Sequence, residues 1–373
     1  MKGGPIWPSS YAMTQSTDTD PAQLRADIQK GMSECLELFN ARYDVVRAYA
    51  FQPGDDRVYL GDKLKKVCRY CGRADPEVKF KKLAHAIPDQ VGNDWLFDYE
   101  ECDTCNGDFA KWVEDDFAKW THPWRTLGRI KGKKGVPSMK SNDQKFRIDA
   151  TVDSTPSETG AGAVRHGLEI RMGVNDVRHE LDEANNTVRL TLDRPAYVPM
   201  GVFKCLVKMA IAIMPPEEEQ KCDHLKKWIL RPTHTFESYA YRPLRVLYQL
   251  APGPLPNDRV ACYLLRRKPD SADDCLYMQF ILLLSNHVLQ IALPMHVEDH
   301  KQLEAGKFTT ALWPNTWADV EHQARYGRTG HKSYDMSGVE TVRGDSTSMV
   351  FSYDQLIDLP DTVVEPDGEP RVD

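Results

Sequence analysis

The sequence predicts an α+β protein in two parts: a zinc-held N-terminal module, then a separate α+β domain with a mainly antiparallel sheet. Three observations lead there. Cys68/Cys71 and Cys102/Cys105 are two Cys-x-x-Cys pairs enclosing Leu83-Ala84-His85-Ala86-Ile87-Pro88. Leu168-Glu-Ile170-Arg-Met172 and Val188-Arg-Leu190-Thr-Leu192 alternate apolar and polar residues, the period of half-buried strands. Two helical stretches, Pro199–Met214 and Glu217–Leu230, stand between runs of strands, as in an α+β domain.

Composition limits the function classes. The chain has 373 residues, room for two or more domains, and 41% hydrophobic with 28% charged residues is ordinary for a globular protein. A formal net charge of -7 argues against a protein that coats nucleic acid over its whole surface, so any polyanion site is local. Of nine cysteines, four lie in the two pairs; Cys35, Cys205, Cys222, Cys262 and Cys275 read as free thiols of a reducing compartment, the cytoplasm by default. Met1-Lys2-Gly3-Gly4-Pro5 has no apolar signal core, and no apolar run approaches a membrane span, so neither secretion nor a membrane is expected.

Residues 1–19, rich in Ser, Thr, Gly and Pro, read as a disordered leader. Asp20-Pro21 is a helix start, an N-cap followed by Pro in the first turn, and Leu24, Ile28, Leu36 and Phe39 carry an apolar stripe toward Phe51, which predicts one helix. The N-terminal module is expected over 20–150, with a boundary loop at 151–162 (TVDSTPSETGAG). The second domain, 163–355, begins with the alternating segments above, and Asn185-Asn186 suits a turn between them. Lys204 and Lys208, four apart on an otherwise apolar helix, either reach a phosphate or snorkel to solvent; snorkelling is the commoner outcome. Strands then follow at Leu244–Leu250, Arg259–Arg267, Leu276–Leu284 and Val288–Leu293, the last two joined as a hairpin through Ser285-Asn286-His287. An acidic tail, 356–373, closes the chain.

The chemistry is concentrated between Cys68 and Glu114. Four cysteines at knuckle spacing supply the soft thiolates of one tetrahedral structural Zn²⁺. The enclosed His85, and Asn106 straight after the last Cys, suggest a second site that does chemistry. A lone His among apolar neighbours is ordinarily a satisfied core residue, and its place between the Cys pairs is what favours function. The basic stretch Arg125–Arg147, with Lys131, Lys133, Lys134 and Lys140 among glycines, suits a phosphate grip, or else forms a solvated connector.

Cys68-Arg-Tyr-Cys-Gly72, Leu83-Ala-His85-Ala-Ile-Pro88, Gly92-Asn93 and Glu101-Cys-Asp-Thr-Cys-Asn106, with Glu114 downstream, resemble the zinc-containing branch of the HNH endonucleases over about residues 65–125. The resemblance implies a ββα-metal finger: a strand ending at His85, a loop containing Asn93, a strand reaching Cys102 and a helix starting near Asn106. It implies His85 as general base, Asn106 as ligand of a catalytic Mg²⁺ or Mn²⁺, and Asn93 as the brace of the loop. The family's second metal ligand precedes the base, where this chain has Ala84, so either Glu114, Asp108 or Asp103 replaces it, Glu114 first, or Asn106, water and substrate hold the metal; carboxylates near a helix start more often offset its dipole or form solvated faces. The implied activity is metal-dependent hydrolysis of DNA by an effector of restriction or antiphage defence. The second domain would target or gate it through a partner protein or a nucleotide signal. The alternative is a catalytically inactive zinc scaffold that binds nucleic acid or a protein.

Overall fold

The structure, a computed structural model, describes residues 20–141, 146–153, 165–172, 177–234, 244–271, 275–294, 296–305 and 310–352. The expected leader and acidic tail lie outside these, as does most of the expected boundary loop.

Helix α1 spans Pro21–Arg42, and its cap is as expected: the Ala22 amide donates to the Asp20 carboxylate at 3.1 Å. The stripe does not continue as helix to Phe51. Tyr43–Phe51 forms strand β1 instead, paired antiparallel with Val260–Arg267. The run Tyr-Asp-Val-Val-Arg-Ala-Tyr is rich in aromatic and β-branched residues, and a remote sheet edge supplies its hydrogen bonds.

That edge belongs to a six-stranded sheet ordered β1, Val260–Arg267, Met278–Leu284, His287–Ala292, Arg245–Leu250, Gly330–Asp335. All neighbours are antiparallel, in agreement with the alternation and turn signals. Met278–Leu284 is buried at every position, so both faces of the sheet are covered. The hairpin at Ser285-Asn286 is present, with Ser285 at a left-handed φ of 48°.

Two smaller sheets, Met139–Lys140 with Phe146–Asp153 and Arg165–Met172, and Ser346–Ser352 with Thr187–Asp193 and His179–Asp182, share a second core. The two alternating segments near 168 and 188 are therefore strands of different sheets. The Asn185-Asn186 turn joins His179–Asp182 to Thr187–Asp193. Glu217–Leu230 is not one helix: Pro216–Glu219 and Asp223–Ile229 are separated by a tightened turn at Gln220–Cys222, which carries Cys222 into the core.

The cysteine module lies against this architecture. Strands β2 (Val58–Leu60), β3 (Ala84–His85) and β4 (Leu96–Asp98) form a three-stranded sheet, ordered β2, β4, β3. Helices α2 (Asp103–Trp112) and α3 (Glu114–Leu127) follow, and α4 (Pro199–Ala212) is buried along its whole length. The module clamps α4 at both ends. Asp116 of α3 accepts the Val198 amide at 2.9 Å, a carboxylate at the positive end of the α4 dipole. The approach is so close that a Cβ at Gly201 would come within 2.2 Å of Asp116 Oδ2. At the other end the Arg69 guanidinium donates to the carbonyls of Ile211 and Ala212 at 3.1 and 3.0 Å. One hydrophobic core runs from Cys68, Tyr70 and Phe109 through α4 to Phe280 and Leu289 of the sheet. The separation expected around residues 151–162 is not seen among the described residues.

Candidate functional site

The four cysteine Sγ atoms all lie within 4.8 Å of one another. Cys68–Cys105 and Cys71–Cys102 are 3.8 and 3.9 Å apart. A tetrahedral ion with Zn–S bonds of about 2.3 Å sets its sulfurs about 3.8 Å apart, so the cluster fits structural zinc in donor type, number and spacing. The Cys105 amide points at Cys102 Sγ from 3.4 Å, a donor that offsets thiolate charge. Contact between the two sulfurs lowers the pKa of the Cys68 thiol and raises that of Cys105. A bound dication would hold all four as thiolates.

His85 ends β3, and β3 pairs antiparallel with β4, placing His85 opposite Phe97 and Ala84 opposite Asp98. Beyond β4 the chain enters the second knuckle and then α2, so the local order is strand, loop, strand, helix. The His85 ring is half-buried with its centroid 4.7 Å from that of Phe97. Burial lowers its pKa below 6.5, and the nearby Lys208 charge acts in the same direction against Asp89 and Glu114. The imidazole is thus neutral at neutral pH, the form that accepts a proton. Ala84 is buried on the opposite face of the strand and contributes no donor.

Asn93 is fully buried and holds the loop between the strands. Its amide donates to the Ile87 and Leu96 carbonyls at 2.5 and 3.0 Å and accepts the Trp95 and Leu96 amides at 3.1 and 2.9 Å. With these bonds made it braces the backbone. Asn106 lies half-buried in the first turn of α2, its amide on the Cys102 carbonyl at 2.9 Å. Asp103 is taken up by the Lys81 and Lys82 amides at 3.0 and 2.9 Å, and Asp108 is half-buried on α2. Among the described residues no hydrogen bond joins the His85 ring to Asn106 or Glu114.

What reaches the site from afar is Lys208 of α4. Its Nζ donates to the His85 carbonyl at 2.8 Å and lies 3.1 Å from Glu101 Oε2 and 3.2 Å from Glu114 Oε1. The Lys208 and Glu101 side chains are both at zero exposure, and Glu114 is at 19%. Burial alone would discharge Lys208, but Glu101 and Glu114 raise its pKa above the ordinary lysine value. Burial pushes Glu101 up to about 8 against the pull of Lys208. The ammonium is the charged member throughout, because two carboxylates and a carbonyl surround it. Lys204 is also buried, donating to the Arg231 carbonyl at 2.8 Å, with burial lowering its pKa to about 7. The snorkelling expected for both lysines does not occur, since distant segments supply acceptors inside.

Lys131, Lys133, Lys134 and Lys140 are all exposed. The first three form a turn closed by bridging between Gly132 and Gly135. This turn packs on the loop that follows His85: a Cβ at Gly132 would lie 3.0 Å from Gln90 Cα. Gln90 in turn donates to the Glu114 carbonyl at 2.8 Å. Lys140 stands in one of the small sheets, opposite Arg147. Sequence reasoning did not reach Glu101, Arg69 or the structural use of Lys208. A lysine four residues from another in an apolar helix was the available signal.

The chain matches no family model, no curated protein and no solved structure. The described residues define an α+β protein with mainly antiparallel sheets and a four-cysteine cluster suited to zinc. No helix among them is long and apolar enough to cross a membrane.

Proposed function

We propose that the chain is an HNH-like, metal-dependent DNA endonuclease in which a zinc-held ββα segment presents His85 to a scissile phosphate. The observation that carries this reading is the position of His85: a neutral, half-buried imidazole at the end of a two-residue strand, between the two knuckles of the cysteine cluster. His85 would take the proton of the attacking water, needing no prior deprotonation at neutral pH. Asn106, with Glu114, would hold Mg²⁺ or Mn²⁺; such ions keep several waters and accept few protein oxygens, which suits so small a donor set. When bound, the cation would stabilise charge on the phosphate oxygens and the leaving group. Lys131, Lys133 and Lys134, beside the Asp89–Val91 loop, would neutralise flanking phosphates. An effector role in restriction or antiphage defence belongs to the same proposal, with the remainder of the chain gating or targeting the site.

A second reading, an inactive zinc scaffold, is favoured by one observation: Glu114, a proposed cation ligand, already pairs with Lys208. A plasmid-nicking assay with Mg²⁺ or Mn²⁺ separates the two. The first reading expects divalent-dependent nicking that falls about 10²–10⁴-fold in His85→Ala, the usual worth of a general base. Nicking that survives His85→Ala, or is absent in both metals, leaves the scaffold.

A further inference from the structure

We propose that the row of rings leading away from His85 is a stacking platform for unpaired bases, so that the strand this site engages is single-stranded DNA. The identity of the polymer rests on the nuclease reading; the platform rests on its own geometry.

The β2–β4–β3 sheet aligns Tyr59 with Phe97 and Phe97 with His85, one residue per strand in register. Tyr99 follows Phe97 by two residues. The rings form a continuous row. Phe97 and Tyr59 stack with centroids 5.6 Å apart at 22°, and Tyr59 and Tyr99 stack at 5.1 Å and 10°. Phe97 is buried, but Tyr59 at its outer side is 42% exposed and Tyr99 is half-buried. Cations lie against two of the rings: the Arg57 guanidinium lies 5.4 Å from the Phe97 centroid, and Lys63 Nζ lies 5.7 Å from that of Tyr99.

The outer tyrosine is not taken into the core, so part of its ring stays open. Aromatic faces interleaved with cations match single-stranded nucleic acid, whose bases offer π-faces and whose backbone is anionic. In a duplex those faces are already stacked on each other and only base edges are open. Arg57 pairs with Asp94 at 3.0 Å, and both side chains are more than half exposed. Such a pair is worth about 0–1 kcal/mol, so a phosphate can take the place of Asp94. The row begins at His85, and the Lys131–Lys134 turn packs on the loop just after His85. A strand stacked on Tyr59 and Tyr99 meets Arg57 and Lys63 along the row, with the Lys131–Lys134 turn beside the loop after His85.

The test is fluorescence anisotropy of the full chain with labelled oligothymidylate, against the same strand annealed to oligodeoxyadenylate, without added divalent cation. Tighter binding of the single strand is expected. Tyr59→Leu should weaken it about 5–150-fold, equivalent to about 1–3 kcal/mol of base stacking, and leave the duplex unchanged. Tyr59→Phe keeps the ring and should keep binding. Equal or tighter duplex binding, indifference to Tyr59→Leu, no binding of either, or equal displacement by polyglutamate would each overturn the platform. Selective single-strand binding without any nicking sustains the platform and removes the catalytic reading. Duplex nicking with no single-strand preference does the reverse.

Discussion

Lys208 is the residue whose meaning changes most between chain and fold. In the sequence it is one of two lysines on an apolar helix; in the structure its ammonium sits at zero exposure, joining the His85 carbonyl, Glu101 and Glu114. Removing one member of a buried pair leaves the other without its partner, and here that would be the Glu101 carboxyl, which burial already pushes up to about 8. Lys208→Met is expected to lower stability by about 3–5 kcal/mol, read from urea unfolding midpoints. Adding Glu101→Leu should recover much of that loss, since the buried carboxyl left without a partner is then gone. A double variant as unstable as the single one would show that the pair is not the cause. His85 and Asn93, by contrast, were legible as residues because the cysteine pairs bracket them, and Asn106 because it follows the last Cys. The bracing role of Asn93 follows from four hydrogen bonds to the loop it spans.

Among the elements, those with strong local signals are where the chain pattern places them. The Asp20 cap, the Pro199 start of α4 and the Ser285-Asn286 hairpin depend on neighbours in sequence. Strand β1 does not. Its hydrogen bonds come from residues 260–267, and tertiary pairing there ends the helix that the stripe from Leu24 seemed to extend. The zinc knuckles act as an element too, because Arg69 and Tyr70 of the first knuckle hold α4: Arg69 through the last carbonyls, Tyr70 through the Lys208 carbonyl at 3.1 Å. Metal analysis of the purified chain is expected to find one zinc, lost in Cys102→Ser. Because the ion closes the knuckles that grip α4, the same substitution should lower thermal stability by on the order of several kcal/mol. A zinc-free wild type, or a Cys102→Ser variant that melts unchanged, would refute the structural role.

For the whole molecule, the unit of folding is larger than the cysteine module. Strand β1 completes the central sheet, α4 is clamped by Arg69 and Asp116, and one core extends from the four-cysteine cluster to that sheet. A fragment ending at residue 153 would lack α4, expose the module face that packs on it and leave β1 without Val260–Arg267. Residues 20–153 expressed alone are therefore expected to show no cooperative unfolding by circular dichroism, and a sharp melt of that fragment would contradict the shared core. The sequence by itself determined the α+β class, the four-cysteine cluster suited to zinc, the place of His85 between the cysteine pairs and the helices and strands with strong local signals. Each of these follows from spacing or periodicity over a few residues. Only the tertiary structure decided that the lysines of α4 are buried, that Glu114 meets Lys208, that the basic turn lies beside the His85 loop and that Tyr59, Phe97 and Tyr99 form one row. Those contacts join residues far apart in the chain, and local patterns carry no information about which distant acceptor, charge or ring will fill the space opposite.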